Sequence, residues 1–189
     1  MHDKPVALVT GANKGIGRQI ATELAGKGFT VLVASRDLAK GQEAASGIEG
    51  NAVALQLDVT NEASIAAAAE RVGAEFGRLD VLVNNAGIAS NAEPGTSFEE
   101  RLKQNVPSQA SMEYIRSIYE TNVFGLIAIT QAMLPLLRQA PAGRIVNMGS
   151  SSGSLTLNAD PSFPYRHVFG AAYSPSKATV HAVTLAFAI

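Results

Sequence analysis

An α/β fold is predicted for this chain, with helices on both faces of a doubly wound parallel sheet. Short apolar runs alternate with stretches that carry apolar residues at helical spacing along the 189 residues, and such alternation is typical of right-handed βαβ units. The runs have no polar alternation, as expected for strands buried on both faces of a parallel sheet. The prediction is therefore a three-layer α/β/α domain.

The first strand, predicted at residues 6–10, leads into a glycine-rich turn, Gly11-Ala12-Asn13-Lys14-Gly15-Ile16-Gly17, and a helix follows. Glycine permits positive φ and lets the backbone approach a pyrophosphate, which would lie at the positive end of the helix. An ordinary strand-to-helix turn is the alternative interpretation. The combination of strand, glycine turn and helix predicts a dinucleotide-binding fold of the Rossmann type.

The remaining elements repeat this order with two interruptions. Strands are predicted at 29–34, 52–57, 79–83 and 144–148, and helices at 38–46, up to 76, at 112–138 and from 173. Prolines and polar residues at 90–111 predict a surface insertion with a short helix at 98–103, and a second irregular stretch precedes residue 173. One buried stripe is predicted on the long helix, at Ile115, Ile118, Tyr119, Asn122, Leu126, Ile129 and Met133.

Composition indicates a soluble globular protein, 47% hydrophobic and 16% charged. The net charge of −1 is spread without a basic stripe, so nucleic acid and anionic membrane surfaces are not expected partners. The chain has no cysteine, and its histidines, His2, His167 and His181, have no ligand spacing, so no metal is expected. No apolar signal region precedes the first strand, and the apolar stretch 124–137 is shorter than the roughly 20 residues of a membrane span. A cytoplasmic location is the default expectation.

Tyr173 and Lys177 stand four residues apart at the predicted start of the last helix. Four residues are slightly more than one helical turn, so the phenol and the ammonium share a face and can reach one bound molecule. Pro175 between them is compatible with a first helical turn, where the amide N–H groups have no intrahelical partner. By itself this spacing is a weak signal, because short motifs also arise by chance, and it gains weight from the motifs that precede it.

A preference for NADP over NAD is predicted from the residues that follow the second strand. A carboxylate there binds the ribose 2′-hydroxyl of NAD, whereas an arginine accommodates the 2′-phosphate of NADP. Arg36 precedes Asp37 and follows the neutral Ser35, and Lys14 in the glycine turn adds a second cation. The alternative is that Arg36 is a solvated residue at the start of a helix.

Six motifs in this order resemble those of the short-chain dehydrogenase/reductase family, in particular its carbonyl-reductase-like members, over residues 6–189. They are the glycine turn Thr10-Gly11-x-x-x-Gly15-x-Gly17, Asp58, Asn84-Asn85-Ala86-Gly87, Asn122 in Asn122-Val123-Phe124-Gly125, the serines after the fifth strand, and Tyr173-x-x-x-Lys177.

The resemblance implies a catalytic tetrad of Asn122, Ser150, Tyr173 and Lys177. Tyr173 would be the general acid toward a carbonyl or the base toward an alcohol, with the positive charge of Lys177 favouring its phenolate. Ser150 would hydrogen-bond the substrate oxygen, Lys177 would hold the nicotinamide ribose, and Asn122 would position a water that relays protons to Lys177. The implied cofactor contacts are Gly11, Asn13, Lys14, Gly15, Ile16, Gly17, Arg36, Asp58, Val59, Asn85, Ala86, Gly87, Tyr173 and Lys177. Asp58 would contact the adenine, and Asn85 would steady the sheet behind the cofactor.

The chain departs from the family pattern in three places. Gly149 stands where the family has the first of two serines, so Ser150 is the expected catalytic serine and Ser151 the alternative. The 23 residues from Ser150 to Tyr173 exceed the usual spacing, which resembles the longer loop of carbonyl reductases. Residues 1–189 read as one dinucleotide-binding and catalytic domain that ends inside an amphipathic helix, apparently without its last two strands. Such an end would expose an apolar patch, consisting of Val180, Val183, Leu185 and Phe187.

The sequence thus favours an oxidoreductase that transfers a hydride between NADP(H), with NAD(H) as the second choice, and a small carbonyl compound or secondary alcohol. The competing hypothesis is a catalytically silent NAD(P)-binding protein or fragment. A purely structural role ranks third, because it would not require a tyrosine–lysine pair. A homo-oligomer is a further expectation.

Overall fold

A five-stranded parallel sheet organises the chain. In the computed structural model, which describes residues 4–92 and 95–188, the strands lie in the order β3-β2-β1-β4-β5. They are β1 (Val6–Val9), β2 (Thr30–Ser35), β3 (Asn51–Gln56), β4 (Val81–Asn84) and β5 (Arg144–Asn147). Val6 lies opposite Thr30 on one side of β1, and Ala7 lies opposite Val81 on the other. The order of connection therefore reverses between β1 and β4, as in doubly wound sheets.

Some residues singled out from the sequence lie outside the described residues. They are His2, Glu93 and Pro94 of the predicted insertion, and Ile189 at the predicted end.

The helices connect the strands in the predicted order. They are α1 (Gly15–Gly26), α2 (Leu38–Ser46), α3 (Glu62–Phe76), α4 (Phe98–Gln104), α5 (Met112–Tyr119), α6 (Leu126–Leu137), α7 (Leu155–Ala159) and α8 (Tyr173–Ala188). Short 3₁₀ turns occupy Ser151–Gly153 and Arg166–Val168.

Apolar side chains cover both faces of the sheet. On β1, Val6 and Leu8 belong to a cluster that also contains side chains of α3 and α6, such as Val72 and Met133. Ala7, the next residue, belongs to a second cluster with side chains of α1 and α2. Because successive residues of a strand point to opposite faces, each face of the sheet has its own helical layer. The predicted doubly wound α/β/α fold is confirmed.

The chain falls into two compact units. The first consists of the residues up to Ala86 together with Gly125–Asn147, and it contains the whole sheet with α1, α2, α3 and α6. The second consists of Gly87–Phe124 and the residues from Met148 onward, and it contains α4, α5, α7 and α8. The sequence-based expectation of a single domain stays a prediction.

Two local features were not predicted. The long helix is interrupted by a π-helical segment, Glu120–Gly125, between α5 and α6. The second irregular stretch contains the one-turn helix α7, whose N-cap Ser154 accepts a hydrogen bond from the Leu157 amide.

On the predicted buried stripe of the long helix, Ile115 and Tyr119 are half-buried, and Tyr114 is buried instead. A register change within the helix shifts the buried face, because a π turn advances by more residues than an α turn.

The apolar patch predicted for α8 is partly wrong. Val180 is buried at 1% exposure because it continues the face of α8 that carries the buried Ser176 and Lys177. Leu185 is exposed, whereas Val183 and Phe187 are half-buried.

One helical run among the described residues, Met112–Leu137, has the length and composition to cross a membrane. The core helix of a soluble protein passes the same test. Ile129, Met133 and Leu137 of this run belong to the core of the first unit.

Candidate active site

The glycine turn of the first unit has a backbone suited to anion binding. Gly11 and Gly15 have φ angles of 63° and 57°, which residues with a side chain rarely adopt. Lys14 is the N-cap of α1 and makes no side-chain cap hydrogen bond, so no capping side chain serves the first amide N–H groups of this helix. Apart from the two adjacent residues and the backbone of α1 itself, no heavy atom of the described residues lies within 4 Å of a methyl group placed on Gly15. The turn can therefore accept phosphate oxygens at the positive end of α1.

Asn85 holds this turn from behind. Its side-chain Nδ2 donates to the carbonyl oxygens of Thr10, at 2.9 Å, and Gly11, at 3.2 Å. Thr10 Oγ1 in return accepts the backbone N–H groups of Asn85 and Ala86 at 3.0 and 2.9 Å. A methyl group on Gly17 would collide with the Asn85 amide and would lie 2.6 Å from the Gly11 carbonyl oxygen. Glycine at position 17 thus permits the close packing of helix, turn and Asn85.

The acidic residue after β2 is engaged within its own helix. Asp37 is the N-cap of α2, and its Oδ1 accepts the backbone N–H of Lys40 at 3.2 Å. This hydrogen bond, together with the nearby Lys40 ammonium, lowers the pKa of the Asp37 carboxyl. Arg36 and Lys14 are exposed, and neither forms an ion pair within the described part of the chain. Two cations of the first unit are thus available to an anionic ligand.

Asp58 and Val59 follow β3, as predicted. Asp58 Oδ1 accepts hydrogen bonds from the backbone N–H and the hydroxyl of Thr60 at 2.9 and 2.7 Å. The Asp58 N–H donates to Ser64 Oγ at 2.9 Å, and Val59 is buried. These contacts fix the loop after β3, while the assigned contact of Asp58 with an adenine stays a prediction.

In the second unit, Asn122 lies in the π-helical segment and links two distant stretches of chain. Its Oδ1 accepts the Ile88 N–H at 2.8 Å, and its Nδ2 donates to the Ile88 carbonyl at 2.9 Å and to Ser176 Oγ at 3.0 Å. Its residue exposure is only 1%. A methyl group on Gly87 would lie 3.2 Å from Asn122 Oδ1 and 3.6 Å from Lys177 Nζ. Asn122 and Lys177 therefore meet beside Gly87, and π-helical segments frequently occur at such functional positions.

Lys177 is buried on the first turns of α8. Its Nζ donates to the Met148 carbonyl oxygen at 2.7 Å and lies 5.9 Å from the centre of the Tyr173 ring. Burial lowers the pKa of the Lys177 ammonium, because desolvation disfavours the charged form. Ser176 donates from Oγ to the Tyr173 carbonyl at 2.7 Å and accepts from Asn122. Ser176 thus connects two of the four predicted catalytic residues, Asn122 and Tyr173, through one buried hydroxyl.

Ser150 and Tyr173 line the same cavity in the second unit, which has a volume of about 450 Å³. Ser150 Oγ lies 2.8 Å from Ser152 Oγ and accepts the Ser152 N–H at 3.2 Å. Ser151 also lines the cavity, so the choice of Ser150 over Ser151 stays a prediction. The predicted tetrad thus falls within one unit, with two members on the cavity wall and two beside Gly87.

A family model described as short chain dehydrogenase matches residues 5–189. The chain belongs to the short-chain dehydrogenase/reductase family. It is 39% identical over 182 residues to (-)-isopiperitenone reductase of Mentha piperita, a match that covers 80% of this chain and 58% of the relative. The chain therefore spans less than two thirds of the length of that relative.

Solved structures resemble the fold over nearly the whole chain. A metagenomic short-chain oxidoreductase in complex with NADP has a TM-score of 0.77 and 29% identity, over 96% of this chain and 74% of that chain. A 7α-hydroxysteroid dehydrogenase complexed with NADH and 7-oxo glycochenodeoxycholic acid has a TM-score of 0.75 and 26% identity, over 98% and 65% of the two chains. Members of the family thus bind nicotinamide cofactors of both kinds.

Gly149 and Gly153, on either side of the predicted catalytic serines, both lie close to α8. A side chain at Gly149 would meet the ring of His181, with its first carbon 2.6 Å from His181 Nε2. The first carbon of a side chain at Gly153 would lie 2.7 Å from the backbone carbonyl carbon of Lys177 in α8. In this member of the family, the loop around Ser150 therefore packs tightly on α8 through two glycines.

Several residues of the site were not predicted. Ser176 lies inside the recognised Tyr173–Lys177 motif, and its position one turn after Tyr173 is a signal that it faces the interior. Phe98, Arg101 and Leu102 of α4 line the cavity, although the sequence indicated only a surface insertion there. Apolar residues at positions i and i+4 of that short helix were the available signal.

Among the described residues, no group of three or more histidine, aspartate or glutamate side chains could hold a metal ion.

Proposed function

We propose that the complete enzyme transfers a hydride between NADP(H) and a carbonyl compound or secondary alcohol, with Tyr173 as general acid/base. The observation that carries this proposal is that Tyr173 and Ser150 line one cavity while the buried Lys177 lies beside the Tyr173 ring. The name of the Mentha relative, a reductase, and the oxo steroid ligand of the solved dehydrogenase support a carbonyl substrate for this family.

The residues of the first unit fit a dinucleotide. The glycine turn has positive φ angles and open space at Gly15, and α1 begins without a side-chain cap. We assign the pyrophosphate to the turn at Gly11, Asn13, Lys14, Gly15, Ile16 and Gly17, and the adenosine to Arg36, Asp58 and Val59. Asn85 and Ala86 hold the turn in place. We further assign the nicotinamide ribose to Gly87, Tyr173 and Lys177.

The catalytic side chains then have different tasks. Bound NADPH supplies the hydride. Tyr173 gives its phenolic proton to the substrate oxygen, and Ser150 donates a hydrogen bond to the same oxygen as charge develops on it. Lys177 places a positive charge near the Tyr173 ring, where low polarity strengthens its effect on the phenolate. A lysine whose pKa is lowered by burial releases and regains its proton more readily, which suits a relay through Lys177 and Asn122.

The preference for NADP rests on three observations. Arg36 and Lys14 are exposed cations, Ser35 is neutral, and the Asp37 carboxylate already caps α2. An arginine can bind a phosphate through two parallel hydrogen bonds, each worth about 1.5–3 kcal/mol before screening. Because Asp37 has partners in its own helix, its repulsion of a 2′-phosphate is reduced.

The test is kcat/KM with NADPH and NADH for the complete enzyme, Arg36→Ala and Ser35→Asp. The parent enzyme should prefer NADPH by about a hundredfold, which is the effect of two moderate contacts, and both variants should lose most of that preference. Lys27→Ala removes an exposed cation at the far end of α1 and should keep it. A parent enzyme that used NADH equally well would overturn the NADP assignment.

We also propose a cytoplasmic, single-domain protein that acts on a small molecule and forms homo-oligomers. The absence of a basic stripe argues against nucleic acid as a partner. A silent NADP-binding protein would bind the cofactor without turnover, so the same kinetic experiment separates that alternative from the enzyme.

A further inference from the structure

The cavity that contains Ser150 and Tyr173 has mainly apolar walls. Phe98 and Leu102 of α4 line it, as do Phe163, Tyr165 and Val168 from the stretch before α8. The rings of Phe163 and Tyr165 pack edge to face, with their centres 5.8 Å apart and their planes at 74°. A cavity of about 450 Å³ falls in the range that takes a drug-sized ligand. The walls therefore favour a bulky apolar skeleton around the reacting carbonyl.

Arg101 is the one charged residue among the described residues that line this cavity. Its Nε donates to the Thr96 carbonyl at 3.1 Å, and it forms no ion pair in the described part of the chain. The neighbouring Glu100 is engaged elsewhere, because its Oε2 accepts the N–H and the hydroxyl of Ser97 at the start of α4. The terminal N–H groups of Arg101 are thus left for a ligand.

An arginine fixed in this way selects for a particular kind of group. Its fork of N–H donors matches the two oxygens of a carboxylate or sulfate. The Arg101–Thr96 hydrogen bond already restrains the side chain, so less rotamer freedom is lost when a ligand binds. Ser150 and Tyr173 on the same cavity wall supply donors for an uncharged carbonyl oxygen. The cavity therefore offers one site for the reacting oxygen and a different site for an anion.

We propose that the substrate is a bulky apolar ketone, or the matching alcohol, that carries a carboxylate or similar anion away from the reacting carbon and binds it at Arg101. This inference rests on the proposed function and deepens it. Arg101 is then a specificity-determining residue, contributed by the 90–111 insertion rather than by the sheet. Because Arg101 is exposed to solvent, its effect is moderate and decreases with salt.

The test compares one skeleton with and without the anion. The probes are 4-(4-oxocyclohexyl)benzoate and its methyl ester, and their affinities for the complete enzyme saturated with NADP⁺ are measured by calorimetry. The carboxylate should bind about fivefold more tightly than the ester, which is the effect of one charge-assisted contact at an exposed site. Arg101→Gln should remove this difference, and Arg101→Lys should keep part of it. Lys103→Gln, which removes the same charge from the same helix outside the cavity, should keep it fully.

Equal affinities for carboxylate and ester, a preference that survives Arg101→Gln, or no binding of either probe would each overturn the inference. Circular dichroism of Arg101→Gln checks that α4 remains folded, and Arg101→Lys retains the charge if it does not. Turnover of the uncharged 4-phenylcyclohexanone with NADPH tests the proposed function separately from the anion site. If this ketone is reduced and the carboxylate is not preferred, the anion site is wrong and the proposed function stands. If the carboxylate binds preferentially and no ketone is reduced, the proposed function is wrong and the anion site stands.

Discussion

In the first unit, side chains with no assigned chemical step hold the glycine turn by its backbone, whereas in the second unit two predicted catalytic side chains themselves bind the backbone around them. Asn85 and Thr10 contact carbonyl and amide groups of the turn and of the strand end. Asn122 binds the N–H and carbonyl groups of Ile88 and the hydroxyl of Ser176, and Lys177 binds the carbonyl of Met148. We therefore expect the first arrangement to be sensitive to a methyl group added at a close-packed glycine, and the second to the loss of a buried side-chain donor or acceptor.

The largest effect is expected from Asn122→Ala. This change removes three hydrogen bonds at a position with 1% exposure and leaves the Ile88 N–H and carbonyl groups without their partner. We expect the free energy of unfolding to fall by about 2–4 kcal/mol. We also expect kcat to fall about a hundredfold, because catalytic geometry depends strongly on small displacements. Urea unfolding and steady-state kinetics of the complete enzyme measure both.

Asn91→Ala is the matched control for this change, because Asn91 is exposed and donates one hydrogen bond, to Ser117 Oγ. Its free energy of unfolding should change by less than about 0.5 kcal/mol. If Asn122→Ala behaved like this control, the central role of Asn122 in the second unit would be wrong.

The corresponding change in the first unit is Gly17→Ala. The new methyl group would meet the Asn85 amide and the Gly11 carbonyl, so we expect a destabilisation of about 1–3 kcal/mol from overpacking. The Kd for NADP⁺ should rise about tenfold, because the turn must shift. Gly26→Ala is the control, since no heavy atom in the described part of the chain, other than the helix backbone and the two adjacent residues, lies within 4 Å of its added methyl group. Equal behaviour of the two variants would contradict the close packing inferred for this turn.

The smallest effect concerns the charge of Lys177. Its pKa is lowered in the folded protein from the ordinary value of 10.5 by burial, so the unfolded chain binds more protons between the two pKa values. In that window the free energy of unfolding rises with pH, whereas at lower pH the cost of burying the charge is constant. Lys177→Met should lack this rise. Urea unfolding of both proteins between pH 7 and 10 measures the difference, and parallel pH dependences would show that Lys177 titrates as an exposed lysine.

The sequence predicted the elements of the first unit more completely than the cavity wall of the second unit. The strands, the glycine turn and the helices α1 to α3 were predicted because each depends on a local pattern: an apolar run, a glycine spacing or a helical period. Leu38–Ser46 agrees with its prediction at both ends. The place of Arg101 in the cavity wall and of His181 against Gly149 depends on segments that are distant in the sequence. No local pattern records such packing, so these features became visible only in the structure.

The central claim is that a hydride passes between NADPH and a carbonyl carbon while Tyr173 supplies the proton. The most direct measurement is reduction of 4-phenylcyclohexanone by the complete enzyme with NADPH deuterated at C4 of the nicotinamide, followed by mass spectrometry of the alcohol. The account predicts one deuterium on the carbinol carbon when the transferred position is labelled. It also predicts loss of turnover in Tyr173→Phe with the Kd for NADPH nearly unchanged, because only the hydroxyl contacts reacting atoms. Alcohol formed without deuterium from either labelled position, or a Tyr173→Phe enzyme that keeps most of its turnover, would contradict it.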